Sequence, residues 1–115
     1  MEIGCGAGNT MFPLLCESKN PKLFVYACDF SSTAVKVVQG NRLYDEKRGK
    51  AFVWDLASDD IPPEVEPESM DVLVLIFVFS ALHPDKWEQA VNNLYKVQKQ
   101  NSSSLRCCST LNVFL

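Results

Sequence analysis

Four short stretches of this 115-residue chain combine residue types that do chemistry at the edge of a sheet. The first, Glu2-Ile3-Gly4-Cys5-Gly6-Ala7-Gly8-Asn9, places three glycines at alternate positions. Glycine lets a backbone turn tightly and approach a ligand closely. The second is Asp29, 21 residues beyond Gly8 and at the end of an apolar run; a carboxylate at a strand end accepts both hydroxyls of a ribose. The third is Asp55-Leu56, an acid to accept an adenine amino group and an apolar residue to pack on the ring. The fourth, Ile76 to Ser80, closes the floor of the same cleft. Singly, a glycine cluster reads as a turn and a strand-end acid as a helix cap. At successive strand ends of one parallel sheet, the four together predict a single ligand crevice.

Other reactive side chains read as structural. Asp71 starts a strand, and His83, before Pro84, belongs to a turn. Trp87 and Tyr95 lie at helical spacing and read as core before they read as a base-stacking platform. Cys5 sits between glycines with nothing to mark it as a nucleophile. No CxxC pair occurs among the five cysteines, so no metal site is predicted. No catalytic residue is assigned.

The elements that must position the crevice alternate strand and helix. Met1–Ile3 reads as a strand stub entering the glycine loop, and a helix follows from Asn9 or Thr10 to Glu17. Leu23–Cys28 is a continuous apolar run, which suits a strand buried on both faces. Ser31 or Ser32 caps a helix carrying Ala34, Val35 and Val38 on one face, and Gly40 stops it. Ala51–Trp54 is the next strand. Residues 57–71, with three prolines, six acids and no base, read as a solvated surface connection. Asp71–Phe79 reads as the longest strand, and Pro84 opens a helix with Trp87, Ala90, Val91, Leu94 and Val97 on one face. The expectation is an α/β fold, a parallel sheet with helices on both faces, over residues 1–100. Residues 101–115, rich in serine and without period, read as a divergent, ill-ordered tail.

Composition narrows the function classes. A content of 47% hydrophobic and 22% charged residues is that of one ordinary globular domain. The net charge of −3, from 14 acids against 11 bases, argues against a self-sufficient nucleic-acid-binding module. Cys5 and Cys28 lie in apolar runs, which suits reduced thiols in an intracellular compartment. The longest apolar run, Val72–Phe79, is far short of a membrane span.

A nicotinamide fingerprint, G-x-G-x-x-G, would need its third glycine at position 9, which is Asn9. The pattern E-x-G-x-G-x-G instead resembles the first motif of class I S-adenosylmethionine-dependent methyltransferases. The stretches EIGCGAGNTMFPLL, FVYACDFSSTAV, AFVWDLASDD and DVLVLIFVFSALHPDKW resemble, in order and spacing, the methyltransferase-like enzymes that make 3-methylcytidine in tRNA. The resemblance covers residues 1 to about 97. It implies a Rossmann-like fold, S-adenosyl-L-methionine as cofactor, and methyl transfer to N3 of a cytidine in the anticodon loop of serine or threonine tRNA. A seryl-tRNA synthetase is an implied partner, and neither metal nor membrane is. It places the protein in the cytoplasm, with the mitochondrion as the other compartment.

Position by position, the resemblance makes Gly4, Asp29, Asp55, Leu56 and Ile76 cofactor contacts, with Glu2 in the same motif and Gly6 and Gly8 shaping the loop. Against the family pattern the chain lacks most of strand one, the distal strands and a long N-terminal region. The expectation is therefore an inactive or incomplete fragment of such an enzyme. A non-catalytic cofactor-binding or interaction fragment is the alternative.

Overall fold

The computed structural model describes residues 1–58 and 60–100 and, as strand backbone alone, 113–114. The strands are β1 (Glu2–Ile3), β2 (Val25–Asp29), β3 (Gly49–Val53), β4 (Leu73–Leu75) and β5 (Val113–Phe114). They form one sheet in the order β3-β2-β1-β4-β5, parallel throughout except for β5, which runs antiparallel to β4. The expected ill-ordered tail otherwise lies outside the described residues.

The continuous apolar runs become strands covered on both faces, as a parallel sheet requires. In β2 only Tyr26 is not fully buried. On one face, α1 (Met11–Glu17) and α2 (Ser32–Gln39) pack Met11, Phe12, Leu15, Val35 and Val38 against Val25, Ala27 and Ala51. On the other, α4 (Trp87–Val97) packs Ala90, Leu94 and Val97 against Ile3, Cys28, Phe52, Leu73 and Leu75. Ser31 caps α2 by accepting the Ala34 N–H (3.3 Å), and Gly40 ends that helix, as its sequence predicts. The outer edge of the sheet is β3, where Lys50 and Val53 are exposed.

Three expectations are corrected. The apolar run 71–79 is not one strand. β1 offers β4 only Glu2 and Ile3, which pair with Val74 and Leu75, so the ladder ends there. Phe77 then turns into the left-handed region (φ 58°), and Val78–Ala81 form a short helix, α3. The 57–71 connection is not wholly solvated. Its Val65 and Met70 are buried, and it is fastened to the end of α4 through Glu68 N–H to Lys96 O and Met70 N–H to Val97 O (2.9 Å each). Lastly, Trp87 and Tyr95 are about half exposed, and the buried stripe of α4 includes Asn93 instead.

Asn93 is fully buried because it serves a backbone group: its Nδ2 donates to the Leu56 carbonyl at 2.8 Å. Replacing it with alanine leaves that carbonyl without this donor in a dry environment, which costs about 1–3 kcal/mol. Asn93→Ala is therefore expected to lower the urea midpoint measurably, with an unchanged slope, in equilibrium unfolding followed by circular dichroism.

Candidate functional site: a cleft at the carboxyl ends of four strands

The chain leaves every one of the four parallel strands at the same edge. β1 exits into the glycine loop, and the N–H groups of Gly4 and Cys5 both donate to Cys28 O at the end of β2 (2.8 and 2.9 Å). Gly4 and Gly8 have positive φ (77° and 89°). A Cβ at Gly8 would lie 2.5 Å from the Phe12 ring, and one at Gly4 would lie 2.8 Å from Val78 Cγ2. The loop is thus seated against α1 on one side and the β4 exit on the other, with no space for side chains at these two positions.

Asp29 sits at the centre of this edge and is almost fully buried. Gly6 N–H donates to its Oδ2 and Ser31 N–H to its Oδ1, each at 2.9 Å. Two backbone donors fix the carboxylate while each oxygen keeps a second lone pair for a ligand. Asp55 is oriented likewise, by Ala57 N–H to its Oδ1 (3.0 Å).

Between these groups lies a cavity of about 420 Å³, within the usual range for a small-molecule site. Gly4, Asp29, Asp55 and Ile76 line it, at the ends of β1, β2, β3 and β4. Four of the eight residues expected at the site are therefore brought to one cavity. The other four lie elsewhere. Gly6 and Gly8 shape the loop beside it. Leu56 is turned into the core, its carbonyl held by Asn93.

Glu2 is buried beneath the loop, only 4% exposed. Its Oε2 has no hydrogen-bond partner among the described residues. Burial pushes its pKa up to about 7, against the smaller, opposing influence of Thr10 and the Met11 backbone.

Sequence reasoning did not single out Phe30, Ala57, Ser58, Ala81, Leu82 or Lys86, which also line the cavity. Phe30 was the discoverable one, as an aromatic directly after a strand-end acid that no amphipathic stripe accounts for. The remaining candidates are peripheral. His83 is exposed and accepts the Asp85 N–H at Nδ1 (3.2 Å) as part of a turn. Asp71 is exposed and pairs with Lys99 (2.8 Å). Among the described residues, no group of three or more His, Cys, Asp or Glu is placed to hold a metal ion, and no helix is long and apolar enough to cross a membrane.

A parallel sheet whose strand order reverses beside its first strand, with a glycine loop and strand-end acids around one crevice, defines a Rossmann-like fold with its cleft at the switch point. Within that class the chain belongs to the methyltransferase domain family, whose model matches residues 1–103. It is 52% identical over 99 residues to the tRNA N(3)-methylcytidine methyltransferase trm140 of Schizosaccharomyces pombe, covering 86% of this chain and 32% of that protein. It is 52% identical over 105 residues to the human tRNA N(3)-cytidine methyltransferase METTL6, covering 91% and 36%. It thus spans about a third of the length of these relatives. Among solved structures, a TehB-like SAM-dependent methyltransferase of Corynebacterium glutamicum shares the fold, with a TM-score of 0.65 at 22% identity over 84% of this chain and 47% of that one.

Two measurements follow from the buried acid and the thiols. Glu2 has a folded-state pKa raised above its unfolded value, so its contribution to stability is complete below about pH 4.5 and is lost as pH rises through about 7. Wild-type melting temperature is expected to fall from about pH 5 to about pH 8 more steeply than that of Glu2→Gln, as read by scanning calorimetry. Burial, then the charges of Glu2 and Asp29, pushes the Cys5 thiol up to about 12, and burial above all raises Cys28 too. Cys16 is exposed. Iodoacetamide at pH 8 is expected to label Cys16 well before Cys5 or Cys28, as peptide mass mapping would resolve.

Proposed function

We propose that these residues form the cofactor-holding segment of an S-adenosylmethionine-dependent methyltransferase that acts on N3 of a cytidine in the anticodon loop of a serine- or threonine-type tRNA. The observation that carries the reading is the placement of Asp29. Its carboxylate is fixed by Gly6 and Ser31 at the wall of a cavity shared by the ends of four strands. The identity of about half over nearly the whole chain to tRNA N(3)-cytidine methyltransferases supports the choice of substrate.

The residues present fit the cofactor. Asp29 offers free lone pairs to a ribose diol, Asp55 offers a carboxylate to an exocyclic amine, and Phe30, Ala57 and Ile76 supply apolar walls for a flat ring. Two acids also suit a ligand that carries positive charge. When bound, S-adenosylmethionine supplies a methyl group on a sulfonium, already activated for transfer. Cytosine N3 holds its lone pair at neutral pH, so attack requires no protein group to remove a proton. The task of this chain would be to hold the donor through Asp29 and Asp55, which would spare the reaction the entropic cost of bringing donor and N3 together.

Calorimetric titration of the purified chain with S-adenosylmethionine tests the reading. Saturable binding is expected, weakened at least about tenfold in Asp29→Ala, the size of loss that removing a charged hydrogen-bonding partner produces. Absence of binding, or equal binding by the variant, would refute it.

A further inference from the structure

Phe77 combines a positive φ, shared among non-glycine residues only with Glu68 in the described chain, with the exposure of a large aromatic, shared in the same cavity by Phe30. It is a bulky aromatic held at φ 58°, where L side chains are strained, and its ring is 69% exposed instead of packed in the core. Strain of this kind persists where the surrounding structure enforces it, and it gathers at functional sites. Here the surroundings are the exit of β4 and the start of α3, with Ser80 Oγ donating to Phe77 O at 3.0 Å. The same residue lines the cavity.

The cavity has two unlike flanks. The exits of β2 and β3 bring Asp29, Phe30 and Asp55. The exit of β4, α3 and the turn after it bring Ile76, Phe77, Val78, Ala81 and Leu82, all apolar, with Lys86 and no acid at the rim. Two planar groups must meet in a base methyltransferase, and the acids are suited to the nucleoside of the donor. The acceptor is left with the apolar flank, whose exposed aromatic ring is Phe77. An exposed ring gives a nucleobase a stacking surface that any base accepts, and it is rigid at low entropic cost.

We propose that Phe77 is the stacking platform for the acceptor base, holding the cytosine ring over the apolar flank of the cavity. The inference rests on the reading of the chain as a nucleobase methyltransferase segment, and its test is arranged so that the two fail separately. The probe is a fluorescein-labelled anticodon stem-loop RNA with an unmodified loop cytidine, compared with the same RNA abasic at that position.

Wild-type chain is expected to prefer the cytidine RNA. Phe77→Ala should lose about tenfold in affinity for it, the scale of one stacked base, with little change for the abasic RNA. Phe77→Tyr and Phe77→Trp should stay within about twofold of wild type. Phe77→Gly relieves the backbone strain, so it should melt at a higher temperature yet bind like the alanine variant. Affinity for S-adenosylhomocysteine, measured by calorimetry, should be the same in all of them.

The proposal is overturned by equal losses on both RNAs, by a parallel loss of S-adenosylhomocysteine affinity, or by failure of the wild-type chain to distinguish the two RNAs. Failure of the wild-type chain to bind S-adenosylhomocysteine while the RNA results hold would sink the cofactor reading instead.

Discussion

The carboxylate of Asp29 joins two strand exits and a helix start. One oxygen takes the Gly6 N–H from the loop after β1, and the other takes the Ser31 N–H at the cap of α2. A buried carboxylate is costly unless its lone pairs are occupied, so these bonds are what allow an acid at this depth. In return they set the height of the glycine loop above the sheet and the direction in which α2 leaves it. The Gly4 and Cys5 N–H groups, both on Cys28 O, reinforce the same junction. Remove the acid and the exits of β1 and β2 and the start of α2 lose their common anchor, while the cavity loses its central polar group.

Around that junction the sheet is unusually lean. β1 is only Glu2–Ile3, yet it pairs on both sides, with Ala27 and Cys28 and with Val74 and Leu75. Burial compensates: Ile3, Cys28, Leu73 and Leu75 lie in one apolar cluster with Ala90, Leu94 and Val97 of α4. Such packing stabilises a two-residue strand that its own hydrogen bonds could not hold. The brevity of β1 also decides where β4 ends, and hence where Phe77 is set free of the sheet.

Much of this was legible in the sequence, for physical reasons. Parallel strands carry unbroken apolar runs, and the first two interior runs sit where composition places them. The spacing of Gly4, Asp29 and Asp55 carried through to one cavity because a parallel sheet brings all its strand ends to one edge. What escaped depended on partners distant in the chain. Leu56 turns inward because Asn93, 37 residues on, holds its carbonyl, and nothing near Leu56 announces that. Asn93 is polar and lies outside the apolar set Trp87, Ala90, Val91, Leu94 and Val97, so hydrophobic spacing gives no sign of its burial. The run 71–79 reads as one strand because hydrophobicity alone does not distinguish a residue that pairs from one that lines a cleft.

The pairing of β1 with β4 also has a temporal side. Glu2 lies beside Ala27 and Val74. During synthesis, Ala27 emerges 25 residues after Glu2 and Val74 only 72 residues after it. The middle of the sheet therefore waits, with one side of β1 unpaired, while β2, α2 and β3 form a local unit through short connections. Closing a parallel ladder over so long a separation carries a loop entropy that native contacts repay late, which slows folding. Until Trp87–Val97 arrive, the face that α4 will cover stays open, and this is the interval in which a nascent chain of this topology has most need of a chaperone.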